Sequence, residues 1–163
     1  MIGAAMDKKT KKKLWMTRTG IALVLAIVVY ALLVTLRPTV SEYGLPTETL
    51  SIGKNNTLTV EIADTDPSRA KGLMMRTFLP QGQGMLFVWP EEAPRTMWMK
   101  DTFIPLDIIF MDGQGKIVGI ATQAVPHDLS PLGTDNPARY VLEVPAGDAN
   151  RLGLAVGQSI VLP

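Results

Sequence analysis

An apolar run from Thr19 to Leu36, 18 residues without a charge, divides the chain before any finer pattern is considered. It is long enough to cross the hydrocarbon core of a bilayer as a helix, and no polar face interrupts it as an amphipathic core helix would require. Lys8, Lys9, Lys11, Lys12, Lys13 and Arg18 precede it, and only Arg37 follows closely. The positive-inside rule then places the N-terminus in the cytoplasm and the C-terminal part in the periplasm or outside the cell. A cleaved signal peptide would carry a shorter apolar core, about 7–15 residues, ending in a small-x-small site, which is not evident from Leu33 to Ser41. The expected organisation is a basic cytoplasmic N-terminus over 1–18, a transmembrane anchor over 19–36, a linker over 37–53, and an extracytoplasmic mainly-β domain over 54–163.

The anchor also separates the charges. Beyond residue 36 the chain carries ten basic against fourteen acidic residues, a net −4 that the overall +1 conceals. A mildly acidic domain lacks the basic face that phosphate backbones require, so nucleic acid is not an expected partner. The chain has no cysteine, which excludes disulfide scaffolds, thiol nucleophiles and zinc–thiolate sites.

Arg37 to Lys54, with two prolines and two glycines, reads as a linker or a first weak strand. Strict alternation then sets in, with Leu58, Val60 and Ile62 opposed to Thr57, Thr59 and Glu61, the pattern of a half-buried strand. Asp66 as N-cap and Pro67 at the first helical position predict a helix to about Thr77, with Ala70, Leu73 and Met74 inward and Arg69 and Arg76 sharing a face. Met85–Trp89 is apolar on both faces, and Pro90–Pro94 breaks it. Thr96–Thr102 resumes as a strand with Met97, Met99 and Asp101 opposed to Trp98, Lys100 and Thr102. Asp112-Gly-Gln-Gly115 predicts a hairpin between strands at Leu106–Met111 and Lys116–Ala121. Residues 122–139, with His127, show no periodicity and read as a long loop. Tyr140–Val144 alternates again, Asp148–Leu152 is a short helix, and Ser159–Leu162 is a last strand. The expected fold class is mainly β (α+β): a small antiparallel, partly closed, barrel-like sheet with two short helices, preceded by one transmembrane helix.

The run Arg69-x-x-Gly-Leu-Met-x-Arg76, followed by Gly84-Met-Leu-Phe87, Trp98-Met-Lys-x-Thr-x-Ile-Pro-Leu-Asp107, Phe110-x-Asp112 and Tyr140-x-Leu-Glu143, resembles the bacterial and archaeal domain of unknown function 192 family. The resemblance covers about residues 57–163. It implies a compact, mostly β domain, often exported or membrane-tethered, with no established activity. The family pattern has asparagine where this chain has Asp101, which puts an acid beside Lys100 and bears on the charge of any ligand.

Three chemistries remain open. Arg69, Arg76 and Lys100 are placed to hold acidic groups, Trp98 to stack on a ring, and Asp107 or Glu143 to accept hydroxyl hydrogen bonds, with Asp101 in the same candidate ligand site as the acid beside Lys100. Together they predict a binding module for a polar or anionic cell-envelope ligand, a polysaccharide or a protein partner, with no cofactor. The competing structural reading pairs Asp107 and Glu143 with arginines inside the fold. Hydrolysis of envelope glycans is the second chemistry, using two of Asp101, Asp107 and Glu143; no Ser-His-Asp arrangement is available for it. The third is Cu(I) binding through Met97 and Met99, although methionines at alternating strand positions usually pack in a core.

Overall fold

Among the described residues one strand pairing is parallel, that of 59–63 with 83–87, and the connection between them organises the rest of the sheet. The computed structural model describes residues 21–30 and 40–162. The chain forms two compact units, Met1–Pro38 and Thr39–Pro163. In the first, residues 21–30 are helical. Among the described residues no helix is long and apolar enough to cross a membrane, and the expected span 19–36 extends outside them on both sides.

The second unit contains six strands: β1 (Thr47–Ile52), β2 (Asn56–Ala63), β3 (Gln83–Met97), β4 (Leu106–Met111), β5 (Ile117–Ala124) and β6 (Leu132–Pro145). Two short helices accompany them, α1 (Asp66–Lys71) and α2 (Asp148–Arg151). The sheet order is β1-β2-β3-β6-β4-β5. The β1–β2 and β4–β5 pairs are antiparallel hairpins, while β2 and β3 run parallel with Val60 opposite Gly84 and Ile62 opposite Leu86. This corrects the wholly antiparallel expectation. Parallel neighbours need a crossover that carries the chain back along the sheet, and α1 with its exit segment supplies one.

Barrel-like closure is not made either. β1 and β5 remain the two edges of the sheet. The C-terminal segment meets β1 and the residue just before β5 by single bridges, Val161 to Ser51 and Ser159 to Lys116, instead of forming the expected last strand.

The helix α1 stops six residues earlier than the helical spacing of Leu73 and Met74 predicts. Thr65, not Asp66, is its N-cap, in a capping box with Ser68. Gly72 ends it at φ 47°, ψ −137°, a conformation essentially restricted to glycine, and a Cβ there would sit 3.2 Å from the Phe87 ring. β3, in contrast, runs through the expected Pro90–Pro94 break. Register shifts between Val88 and Arg95 form a bulged stretch that takes both prolines out of the ladder. β3 then ends at Met97, so the expected strand face over Thr96–Thr102 does not exist. The long loop over 122–139 shortens to 125–131, because β5 and β6 extend into it.

Each face of the sheet carries a core. Leu50, Leu58, Val60, Leu86, Ile109, Leu142 and Val144 form one cluster; Met85, Phe87, Ile108, Phe110, Val141 and Met99 belong to the other. Strand alternation separates them, since Leu86 and Leu142 point away from Met85, Phe87 and Val141. β6, between β3 and β4, is therefore buried on both faces, and one of the residues it buries is an acid.

Candidate functional site

Glu143 lies opposite Met85 on β3 and opposite Ile108 on β4, two fully buried side chains. It is 4 % exposed. Among the described residues no cation pairs with its carboxyl and no donor hydrogen-bonds to it, so the arginine pairing expected for it is corrected. Burial pushes the carboxyl up to about 8, which keeps it protonated at neutral pH. No completely sealed side-chain oxygen or nitrogen in the described residues lacks a partner, so this carboxyl is not fully sealed. It opens on a small pocket of about 30 Å³.

Three segments build that pocket. The end of α1 and its exit contribute Arg69, Lys71, Gly72 and Met74; β3 contributes Phe87 and Met97; the loop after β3 contributes Trp98, Lys100 and Thr102. Lys71 and Lys100 are exposed at the rim. Trp98 is 52 % exposed, with the Lys100 ammonium 5.5 Å from its ring centroid. The loop is pinned from two sides. Met75 N–H donates to the Asp101 carbonyl at 2.8 Å, Met99 N–H to the Asp128 carbonyl at 2.9 Å, and His127 N–H to the Thr102 carbonyl at 3.2 Å. Met75, Asp101 and His127 all have φ between 52° and 63°. Three of the four left-handed non-glycine residues among the described residues thus sit in the segments that shape or pin this pocket, and such conformations cluster where a fold holds a site in position.

Arg69 lines the pocket but is committed to the scaffold. Its guanidinium donates to the Asp64 and Val88 carbonyls and to the Asp66 carboxylate, fastening α1 over β3, and it lies 5.6 Å from the Trp89 ring centroid. Asp101 holds the loop through its carbonyl and is not among the lining residues.

Asp107 is elsewhere and does not pair with arginine, which corrects the second half of that expectation. It is buried, and three backbone N–H groups satisfy it: Gln123 at 2.9 Å, Gly147 at 2.8 Å and Ala149 at 2.9 Å. The last two lie at the N-terminus of α2, so Asp107 caps that helix from β4. Gln123 is the fourth left-handed residue, φ 55°.

Arg76 does not share a face with Arg69, because the helix ends between them. It forms a bidentate pair with Glu61, 2.6 Å on each arm, with both side chains buried, and its guanidinium carbon lies 3.7 Å from the Tyr43 ring centroid. That pair lines a second cleft of about 490 Å³ with Tyr43, Phe78 and Gln83. Glu61 and Tyr43 were not among the sequence candidates. Glu61 carried a signal, an acid between the apolar residues Val60 and Ile62, whereas Tyr43 sits in a stretch without periodicity.

The small pocket has one acid among its described lining residues, Glu143, so the second carboxylate that glycoside hydrolysis requires is not brought to it. Met97 lines the pocket, whereas Met99 is buried in the core beyond the strand end, so the shared face on which copper ligation rested is also absent. No group of three or more His, Cys, Asp or Glu side chains placed to hold a metal occurs among the described residues.

Fold and pocket together define a class: a small domain on one open, mainly β sheet, with a surface pocket floored by a buried acid. The chain belongs to the domain of unknown function 192 family (DUF192, "Uncharacterized ACR"), whose profile matches residues 48–162. A solved protein of unknown function from Novosphingobium aromaticivorans is 36% identical, with a TM-score of 0.73 over 77% of this chain and 93% of that one. A Sinorhizobium meliloti protein, provisionally described as a transcription regulator, is 37% identical, with a TM-score of 0.69 over 74% of this chain and 97% of that one. The comparison with curated proteins returned no match.

Proposed function

We propose that the chain is a membrane-anchored, extracytoplasmic binding module whose pocket takes the acidic group of a cell-envelope polysaccharide. The observation that carries this reading is Glu143, a buried carboxyl without a partner, facing a pocket rimmed by Lys71 and Lys100. A protonated acid in an apolar wall is a hydrogen-bond donor that water reaches poorly, and two ammonium groups at the mouth favour an anion. A volume of about 30 Å³ accommodates one or two waters, hence one carboxylate of a larger molecule. Trp98, outside the mouth, offers a face for the sugar ring that bears it. The anchor rests on the apolar run 19–36 and on Ile21, Leu23, Val24, Leu25, Ile27, Val28 and Val29, which protein leaves uncovered in the helical residues 21–30.

Calorimetric titration of the full chain in detergent with glucuronic acid, and with glucose as the neutral control, tests the reading. Saturable binding of the acid alone is expected, weakened about tenfold by Lys100→Ala. Glu143→Gln, which keeps a neutral donor, retains binding, and Glu143→Leu loses it. Equal binding of the two sugars, or an unaffected Lys100→Ala variant, refutes the proposal.

A further inference from the structure

The pocket does not stand alone. A depression of about 40 Å³ shares Lys71 and Gly72 with it and shares Tyr43 and Arg76 with the 490 Å³ cleft. The three hollows therefore adjoin in order along the exit of α1, each lined in part by residues common to the next. We infer that they form one groove, and that its occupant is a linear acidic heteropolysaccharide whose acidic unit sits over Glu143 while neutral units lie in the cleft. This inference rests on the reading of the Glu143 pocket given above.

The chemistry changes along the groove in a way that selects the order of units. At the pocket end the rim is cationic. At the cleft end the lining charges are Glu42, Glu61 and Arg76, two acids against one base, and Arg76 is already engaged by Glu61. A second carboxylate on the ligand would meet net negative charge there, whereas a neutral sugar would not. The cleft also supplies what neutral sugars use: apolar ring faces from Phe78, 72 % exposed, and Tyr43, with the Gln83 amide beside them. Tyr43 is held over the Arg76 guanidinium, so its ring is positioned before any ligand arrives. A cleft of this volume lies within the range of about 300–1,000 Å³ typical of small-molecule sites, far more than one carboxylate needs.

Oligosaccharides with one terminal glucuronic acid on a linear chain of neutral xylose units are the probe, and oligogalacturonates, acidic at every unit, are the control. For the full chain in detergent, affinity is expected to rise about tenfold or more from the singly acidic disaccharide to the hexasaccharide, with a smaller rise for the galacturonate series. Phe78→Ala, an exposed position whose loss leaves the core intact, should bring the hexasaccharide down to disaccharide affinity. A flat length profile with Lys100→Ala still weakening every length overturns the groove and leaves the pocket reading standing, as does a length gain untouched by Phe78→Ala. A galacturonate gain equal to that of the singly acidic series overturns the assignment of neutral units to the cleft. Absence of binding at every length overturns the pocket reading and the groove with it.

Discussion

Met75 donates its backbone N–H to the carbonyl of Asp101 at 2.8 Å, and both residues have left-handed φ, 63° and 52°. One hydrogen bond thus joins the exit of α1 to the loop that presents Trp98 and Lys100, with each end in a conformation that costs most L-residues about 1–2 kcal/mol and aspartate less. Asp101→Gly removes the steric part of that cost and keeps the carbonyl, so the denaturant midpoint is expected to stay level or rise. Asp101→Val, β-branched, should lower stability by about 1–2 kcal/mol and loosen the pocket rim. Equal stability of the two variants would contradict the strain reading.

The three basic candidates separate by what each one holds. Removing Arg76 leaves Glu61 buried and unpaired, so Arg76→Ala should cost about 3–5 kcal/mol, whereas an apolar replacement of both partners costs far less. Arg69→Ala strips two carbonyls of their donor and should cost about 2–3 kcal/mol. Lys100→Ala, at an exposed rim, should stay within about 0.5 kcal/mol. Urea unfolding of the three variants measures the order, and a Lys100→Ala loss comparable to that of Arg76→Ala would defeat its assignment to a hydrated rim.

Asp107 makes a different demand. Its carboxylate accepts from Gly147, Ala149 and Gln123, joining α2 and the left-handed Gln123 to β4. Asp107→Ala leaves three buried or half-buried N–H groups without their acceptor and is expected to cost several times the roughly 1 kcal/mol of an ordinary cap. Hydrogen exchange of the Ala149 amide is the local readout; protection unchanged from wild type would show that another group caps α2.

Much of this arrangement could be read from the residues, and the misreadings share a cause. Alternation located β2, and the Asp112–Gly115 turn located the β4–β5 hairpin, because both signals are local. The parallel pairing of β2 with β3 is a long-range fact with no local periodicity, and it followed only from where α1 stops. That stop was carried by Gly72, whose backbone requirement the helical spacing of Leu73 and Met74 concealed. Arg69 and Arg76 looked like one face for the same reason. Glu143 and Asp107 looked alike as acids in apolar strands, yet alternation sends Asp107 toward the amides of α2 and Glu143 toward a pocket, a difference visible only once register is known.

That difference makes Glu143 the residue with the sharpest pH signature. Its carboxyl rises from an ordinary value of 4.5 to about 8 because burial between Met85 and Ile108 disfavours the charge. Between those two values the folded chain retains a proton that the unfolded chain has lost, so this group's contribution to stability is full below about 4.5 and declines as pH rises. The decline is about 1.4 kcal/mol for each pH unit and levels off above about 8. Glu143→Gln holds a neutral side chain at every pH, so the variant should gain on the wild type steadily from pH 5 to pH 8 and keep a constant lead beyond. The same protonation governs the ligand, since an ionised Glu143 repels a carboxylate that the neutral acid would receive from the pocket floor. Glucuronate affinity of the wild type should therefore fall as pH passes about 8, while that of Glu143→Gln stays level across the same range. Arg69, Lys71 and Lys100 face the same pocket and are present in both proteins, so the comparison cancels their contribution. Parallel stability curves for the two proteins from pH 5 to pH 8 would show that Glu143 titrates as a hydrated acid, and the pocket floor would lose its role.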